Sequence, residues 1–230
     1  MDRAFIFDVF GTLVDWRTGV ADVAAGMFAD RGLTTDPYDF AMYWRSRYQP
    51  AMERVRSGGR GYVPLDQLHL ENLNETLDHF GIEGAFDPAA RGQLNRAWEQ
   101  LPPWPDAVPG LTALRQRAFI APCSNGSIAL MARLARFAGF PWDAILGAEV
   151  AQDYKPKSQV YLASCAALGL APERVVMVAA HNDDLTVARA AGLKTAFIPR
   201  VSEYGLDVEA ESAPTQDWDM VVERIGDLAV

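Results

Sequence analysis

The feature that most constrains this 230-residue chain is a set of short apolar runs, each followed by polar residues. They occupy residues 4–7, 119–123, 144–146, 175–180 and 195–198. A strand apolar along its whole length, not only at alternate positions, must be covered on both faces, as in a parallel sheet. Helical patterns at 128–137, 159–168 and 185–191 fall between the runs, and Gly139, Gly169 and Gly192 stand where each would end. Strands alternating with helices predict an α/β fold with a doubly wound parallel-sheet core.

The stretch from 15 to 101 departs from this rhythm. It offers helical patterns, among them 21–31 and 40–55, and no comparable strand. The proline-rich segment 101–109 reads as a stiff return to the sheet. The expected organisation is a core of residues 1–14 and 102–230, with a helical cap domain of residues 15–101 inserted after strand 1.

Charge and composition exclude several functions. A formal net charge of −9 disfavours nucleic acid as a partner. Arg45, Arg47, Arg54, Arg56 and Arg60 nevertheless crowd one segment whose only acid is Glu53, while Asp207, Glu209, Glu211, Asp217, Asp219 and Glu223 crowd the end of the chain. The basic segment is either a lure for a small anion or an ordinary solvated helix face. No stretch is long enough to span a membrane, and Asp8 interrupts the first apolar run too early for a signal peptide. Cys123 and Cys165 have neither metal-ligand spacing nor a disulfide framework, so a reducing cytoplasm is the expected setting.

Ligands of open α/β sheets bind at the carboxyl ends of the strands. Four polar clusters stand there: Asp8, Ser124-Asn125-Gly126, Lys155-Pro156 and Asp183-Asp184. Singly each has a plain structural role, as a turn, an extended residue before proline or a helix N-cap. In a parallel sheet all four converge on one edge.

In this order the clusters resemble the haloacid dehalogenase superfamily, and within it the type II L-2-haloacid dehalogenases. The resemblance runs from Phe7-Asp8-Val9-Phe10-Gly11-Thr12-Leu13-Val14-Asp15-Trp16, through Ser124-Asn125-Gly126 and Tyr154-Lys155-Pro156, to His181-Asn182-Asp183-Asp184. It implies a Rossmann-like core, hydrolysis of small 2-haloacids to 2-hydroxy acids with inversion at carbon, no cofactor, and a homodimer. Haloacetate and L-2-halopropionate are the implied substrates, and fluoroacetate is the most demanding candidate.

The resemblance also assigns roles. Asp8 attacks the halogen-bearing carbon and forms an ester that water then hydrolyses. Superfamily phosphatases carry an acid two residues later, which protonates the departing alkoxide; here that position is Phe10, and a halide needs no proton. Two carboxylates ~4 Å apart repel by roughly 4 kcal/mol at an effective dielectric near 20, nearly a thousandfold in rate at ~1.36 kcal/mol per decade. Lys155 is the cation that removes this penalty. Thr12 orients Asp8, Ser124 holds the substrate carboxylate, Arg45 and Asn125 receive the halide, Tyr161 supports the lysine end, and Asp184 places the hydrolytic water. The chain departs from the family pattern at Ala179 and His181, where a serine and an asparagine are usual, so a polar role for His181 is a hypothesis. A magnesium-dependent phosphatase with Asp183-Asp184 as ligands, and a non-catalytic small-anion binding protein, are the rival readings; no metal is expected.

Overall fold

The computed structural model describes residues 2–205 and 213–229. The acids Asp207, Glu209 and Glu211 fall outside these residues. Six strands form one parallel sheet in the order β3-β2-β1-β4-β5-β6: β1 (Ala4–Phe7), β2 (Phe119–Ser124), β3 (Leu146–Gly147), β4 (Val175–Ala179), β5 (Lys194–Phe197) and β6 (Met220–Val221). Strand β1 is central, pairing Ala4 with Phe119 on one side and with Val175 on the other. Its residues alternate between two cores: Phe5 and Phe7 enter one apolar cluster, Ala4 and Ile6 another. This double burial accounts for the uninterrupted apolar runs, each fully buried large side chain contributing about 1.5–3 kcal/mol.

Helices α1 (Trp16–Ala29), α2 (Pro37–Ser46), α3 (Tyr48–Arg56), α4 (Leu65–His79) and α5 (Pro88–Asn95) all fall between β1 and β2 and form the helical cap. Their starts follow from local chemistry. Asp15, Asp36 and Asp87 accept backbone N–H bonds at the N-termini of α1, α2 and α5, and Pro37 and Pro88 occupy first-turn positions that need no donor. The single helix predicted over 40–55 is two, broken at Arg47. Pro50 has no N–H to offer the carbonyl of Ser46, so the first helix cannot run through it.

After β2 come α7 (Ile128–Ala138), the one-turn α8 (Ala148–Ala151), α9 (Ser158–Ala167) and α10 (Asn182–Ala190); α6 (Ala107–Arg115) precedes β2. Helix α7 is capped by Ser127 and ends at Gly139 in the left-handed region, φ 79°. Two boundaries differ from the sequence reading. The third strand lies at Leu146–Gly147, later than 144–146. Gly147 (φ 121°) passes so close to Ser124 that a Cβ would lie 2.2 Å from its carbonyl oxygen. Helix α10 begins at Asn182, not at Leu185, so Asp183 and Asp184 fill its first turn and neither is the N-cap. Acidic residues there are favoured by the helix dipole.

Strands β1, β2 and β3 wind one way from the centre and β4, β5 and β6 the other. The reversal lies between β1 and β4, which opens a crevice at their carboxyl ends.

Candidate active site

Asp8 continues β1 by one residue, its N–H bonded to the Val178 carbonyl at 3.0 Å. The chain then turns back on itself, Leu13 N–H reaching Val9 O at 2.9 Å. That turn brings Thr12 Oγ1 within 2.7 Å of Asp8 Oδ2, and the Ala180 N–H, just past β4, fixes the same hydroxyl at 2.9 Å. Arg200 holds the turn from outside, donating to the Thr12 carbonyl at 2.9 Å while its fork grips Asp106 at 2.8 and 3.0 Å.

Lys155 approaches the other carboxylate oxygen. Its Nζ lies 2.8 Å from Asp8 Oδ1 and 2.5 Å from Asp184 Oδ2, and it is buried despite the proline that follows it. Its backbone N–H is taken by Asn125 Oδ1 at 2.8 Å, and Arg56 of the cap donates to its carbonyl at 2.7 Å. Tyr161 donates to Asp184 Oδ1. Burial opposes ionisation of Asp8, yet the Lys155 ammonium and the His181 ring outweigh it and hold this carboxyl well below its usual range. Asp184 moves the other way: burial, joined by the Asp8 charge, prevails over Lys155 and raises it. Burial works against the Lys155 ammonium as well, but Asp184 and Asp8 keep it charged.

His181 stands at the N-cap position of α10. Its Nδ1 is 3.2 Å from Asp8 Oδ2 and its Nε2 is 2.9 Å from Glu203 Oε2. A ring between two carboxylates needs a proton on each nitrogen to satisfy both. Although burial disfavours the cation, Glu203 and Asp8 raise the His181 pKa well above its ordinary value. Glu203 is buried, and its second oxygen accepts from Trp16 Nε1 at 3.0 Å. Sequence reasoning passed over Glu203 and Arg200. The signal available was position alone, since both follow the carboxyl end of β5.

These groups open on a cavity of about 630 Å³ lined by Asp8, Phe10, Arg45, Asn125, Lys155 and His181, among others. Phe10 is buried and meets the Trp98 ring edge-on at 5.7 Å. The Arg45 guanidinium lies over Tyr48 at 4.0 Å and Trp16 at 5.2 Å; its Nη1 has no hydrogen-bond partner among the described residues. The basic segment thus divides: Arg45 and Arg56 line the cavity, whereas Arg47 and Arg60 pair with Glu75 and Glu71. Ser124, expected to hold the substrate carboxylate, and Tyr161, expected to support the lysine end, are fully buried and do not line the cavity. Ser124 Oγ accepts from Gly126 N–H at 3.1 Å, and Tyr161 is turned to Asp184. Burial raises the Cys123 thiol to about 12, which suits a packing residue and not a nucleophile.

The arrangement does not fit a divalent cation. The place between Asp8 and Asp184 is filled by the Lys155 ammonium, and Asp183 is exposed. Among the described residues no group of three His, Cys, Asp or Glu side chains could hold a metal ion, and no helix is long and apolar enough to cross a membrane.

Comparison with known proteins agrees with this geometry. Residues 3–192 match the haloacid dehalogenase-like hydrolase family. The chain is 30% identical to the (S)-2-haloacid dehalogenase of Pseudomonas sp. (strain YL), over 95% of this chain and 90% of that one. Its structure is similar to that of a defluorinating L-2-haloacid dehalogenase, with a TM-score of 0.97 at 47% identity, covering 99% of this chain and 94% of that one. It is also similar to an L-2-haloacid dehalogenase from Xanthobacter autotrophicus with chloropropionic acid covalently bound, with a TM-score of 0.81 at 25% identity, covering 100% and 97%. A parallel sheet with its helical cap, a carboxylate at the end of the central strand and this breadth of likeness lead to one assignment: the chain belongs to the haloacid dehalogenase-like hydrolases.

Proposed function

We propose that the protein hydrolyses small 2-haloacids to 2-hydroxy acids through an ester on Asp8. The observation that carries the reading is the ammonium of Lys155 seated between Asp8 and Asp184, with Phe10 where a phosphatase needs an acid. A site so built can attack carbon and let a stable anion depart, whereas the position two residues after Asp8, from which a phosphatase protonates its leaving alkoxide, carries a phenyl ring. The covalent chloropropionate adduct of the Xanthobacter autotrophicus relative supports the ester.

Oδ1 of Asp8 is the attacking oxygen, because it carries one donor, Lys155, whereas Oδ2 carries two, Thr12 and His181. The Oδ1–carbon bond forms as the carbon–halogen bond breaks, and Lys155 offsets the charge of the incoming substrate carboxylate. Arg45 and Asn125, which share the cavity with Asp8, receive the halide. Phe10 and the rings behind it keep water from the reacting centre, which strengthens the charge interactions. Water then adds to Cγ of Asp8 and gives a proton to Asp184. As the Cγ–Oδ1 bond breaks, Lys155 protonates the departing hydroxy-acid oxygen and recovers a proton from Asp184. The proton left on the renewed Asp8 carboxyl goes to solvent with the halide. Inversion follows from a single displacement at carbon.

Haloacetates and L-2-halopropionates are the substrates of this reading, with fluoroacetate the slowest, since fluoride is the poorest leaving group among the halides. A homodimer and a cytoplasmic setting belong to the same proposal; the buried free thiols of Cys123 and Cys165 support a reducing compartment. The test is halide release from chloroacetate and both 2-chloropropionate enantiomers, with and without EDTA, beside a phosphate-ester control. EDTA-insensitive halide release that Asp8→Asn abolishes is expected. Magnesium-dependent phosphate release without halide would overturn the reading.

A further inference from the structure

Hydrolysis of the Asp8 ester turns a planar carbon tetrahedral, and negative charge collects on the carbonyl oxygen. If Oδ1 carries the substrate, that oxygen is Oδ2. Two donors already converge there, Thr12 Oγ1 at 2.7 Å and His181 Nδ1 at 3.2 Å. The direction of the threonine is set, because its oxygen accepts the Ala180 N–H and leaves its proton for Oδ2. The histidine is set from behind by Glu203, whose two oxygens are taken by His181 Nε2 at 2.9 Å and Trp16 Nε1 at 3.0 Å. The nucleophile turn is shaped to admit this carboxylate. Gly11 sits at φ 86°, and a Cβ on it would lie 2.1 Å from Glu203 Oε1.

We propose that Thr12 and His181 form an oxyanion hole on Asp8 Oδ2 for the hydrolytic step, with Glu203 as the positioning residue that keeps His181 oriented and doubly protonated. This rests on the dehalogenase reading. Glu203 has a reason to be there that a structural carboxylate lacks. Alkylation erases the Asp8 charge, one of the two anions that hold the proton on His181, and Glu203 is the one that remains. The addition balances: the water oxygen bonds to Cγ while the C=O pair moves onto Oδ2, then the pair returns and expels Oδ1. Besides Asp8 and Glu203, the charged or titratable groups facing the same space are Lys155, Lys157, Asp183 and Asp184 from the core, Arg45, Tyr48, Glu53 and Arg56 from the cap, and Tyr204. Lys155 and Arg45 disfavour a further cation, and the Glu203 anion offsets them.

The experiment is single turnover of (S)-2-chloropropionate, followed by rapid quench and intact-protein mass. For His181→Leu the expected result is one halide released per site and then a persistent Asp8 ester, its hydrolysis slowed on the order of 10²–10³-fold, the usual cost of one oxyanion-hole donor. His181→Gln, with an uncharged N–H, recovers part of that rate. Wild-type ester hydrolysis slows as pH rises through the His181 pKa, and Glu203→Gln moves the decline to lower pH. An ester that decays at the wild-type rate in His181→Leu overturns the proposal. So does absence of the halide burst in that variant, which would place His181 in alkylation, or hydrolysis that quickens as His181 loses its proton, which would make it a base. If His181→Leu does not fold, the Glu203→Gln profile decides, and an unshifted decline overturns the proposal. No halide from wild-type protein would instead contradict the dehalogenase reading itself.

Discussion

The two oxygens of Asp8 face two differently built neighbourhoods. On the Oδ1 side stand Lys155, Asp184 and Tyr161, a cation shared between two carboxylates and closed off by a phenol. On the Oδ2 side stand Thr12, His181 and Glu203, neutral and cationic donors backed by an anion that does not touch Asp8. The first side keeps a carboxylate ionised and able to meet another carboxylate. The second aims donors at an oxygen that alkylation turns into a neutral ester carbonyl and that becomes negative again when water adds to Cγ. The difference between them teaches that one carboxyl group can serve as nucleophile and then as electrophile without rearranging its surroundings, each role having its own oxygen.

Each side can be broken separately, and the expected effects span a wide range. Asp8→Asn removes the atom both sides serve, and halide release should fall by at least about 10⁴-fold, as loss of a nucleophile does elsewhere. Lys155→Met disables the Oδ1 side alone. Halide release should drop about a thousandfold from the unrelieved carboxylate repulsion, and urea denaturation should show about 3–5 kcal/mol lost where a buried ion pair is left one-sided. Gly11→Ala attacks the Oδ2 side through its anion. The strained φ and the collision with Glu203 should cost about 1–3 kcal/mol, with ester hydrolysis slowed more than halide release. Arg47→Ala touches neither side, since its pair with Glu75 is exposed; it should change stability by less than about 0.5 kcal/mol and leave turnover alone.

The two sides also couple stability to pH with opposite sign. The folded pKa of His181 lies above its unfolded value of about 6.5. Its contribution is therefore complete below about pH 6.5 and is lost as pH rises through the folded pKa. Asp8 is depressed, so its contribution is complete above the unfolded value of about 3.9 and is lost as pH falls through the folded pKa. Urea denaturation across pH should show the gap between wild type and His181→Leu narrowing on the alkaline side. A gap that widened there would mean that His181 is neutral in the folded protein.

The same comparison shows what was legible in the amino-acid sequence. The Oδ1 side was legible because its residues follow the first, third and fourth apolar runs, and the carboxyl ends of parallel strands all face one edge of the sheet. The doubly covered strands were readable for the same reason, since burial on both faces leaves an unbroken apolar run. The Oδ2 side was half legible. Thr12 lies in the nucleophile turn and His181 at a strand end, but nothing around Val201-Ser202-Glu203-Tyr204 marks Glu203. Its role comes from a turn after β5 that folds back onto Gly11 and Trp16, a contact between distant parts of the chain that periodicity does not encode. The break at Arg47 was obscured because the apolar spacing of 40–55 continues across it. Pro50 was the available clue.

The central claim is that water attacks Cγ of Asp8 and not the carbon that bore the halogen. Single turnover of (S)-2-chloropropionate with enzyme in excess, in water enriched in oxygen-18, tests it directly. The account predicts an unlabelled hydroxy acid in the first turnover, with the heavy oxygen retained in the peptide containing Asp8. Label in the product from the first turnover, and none on Asp8, would contradict it.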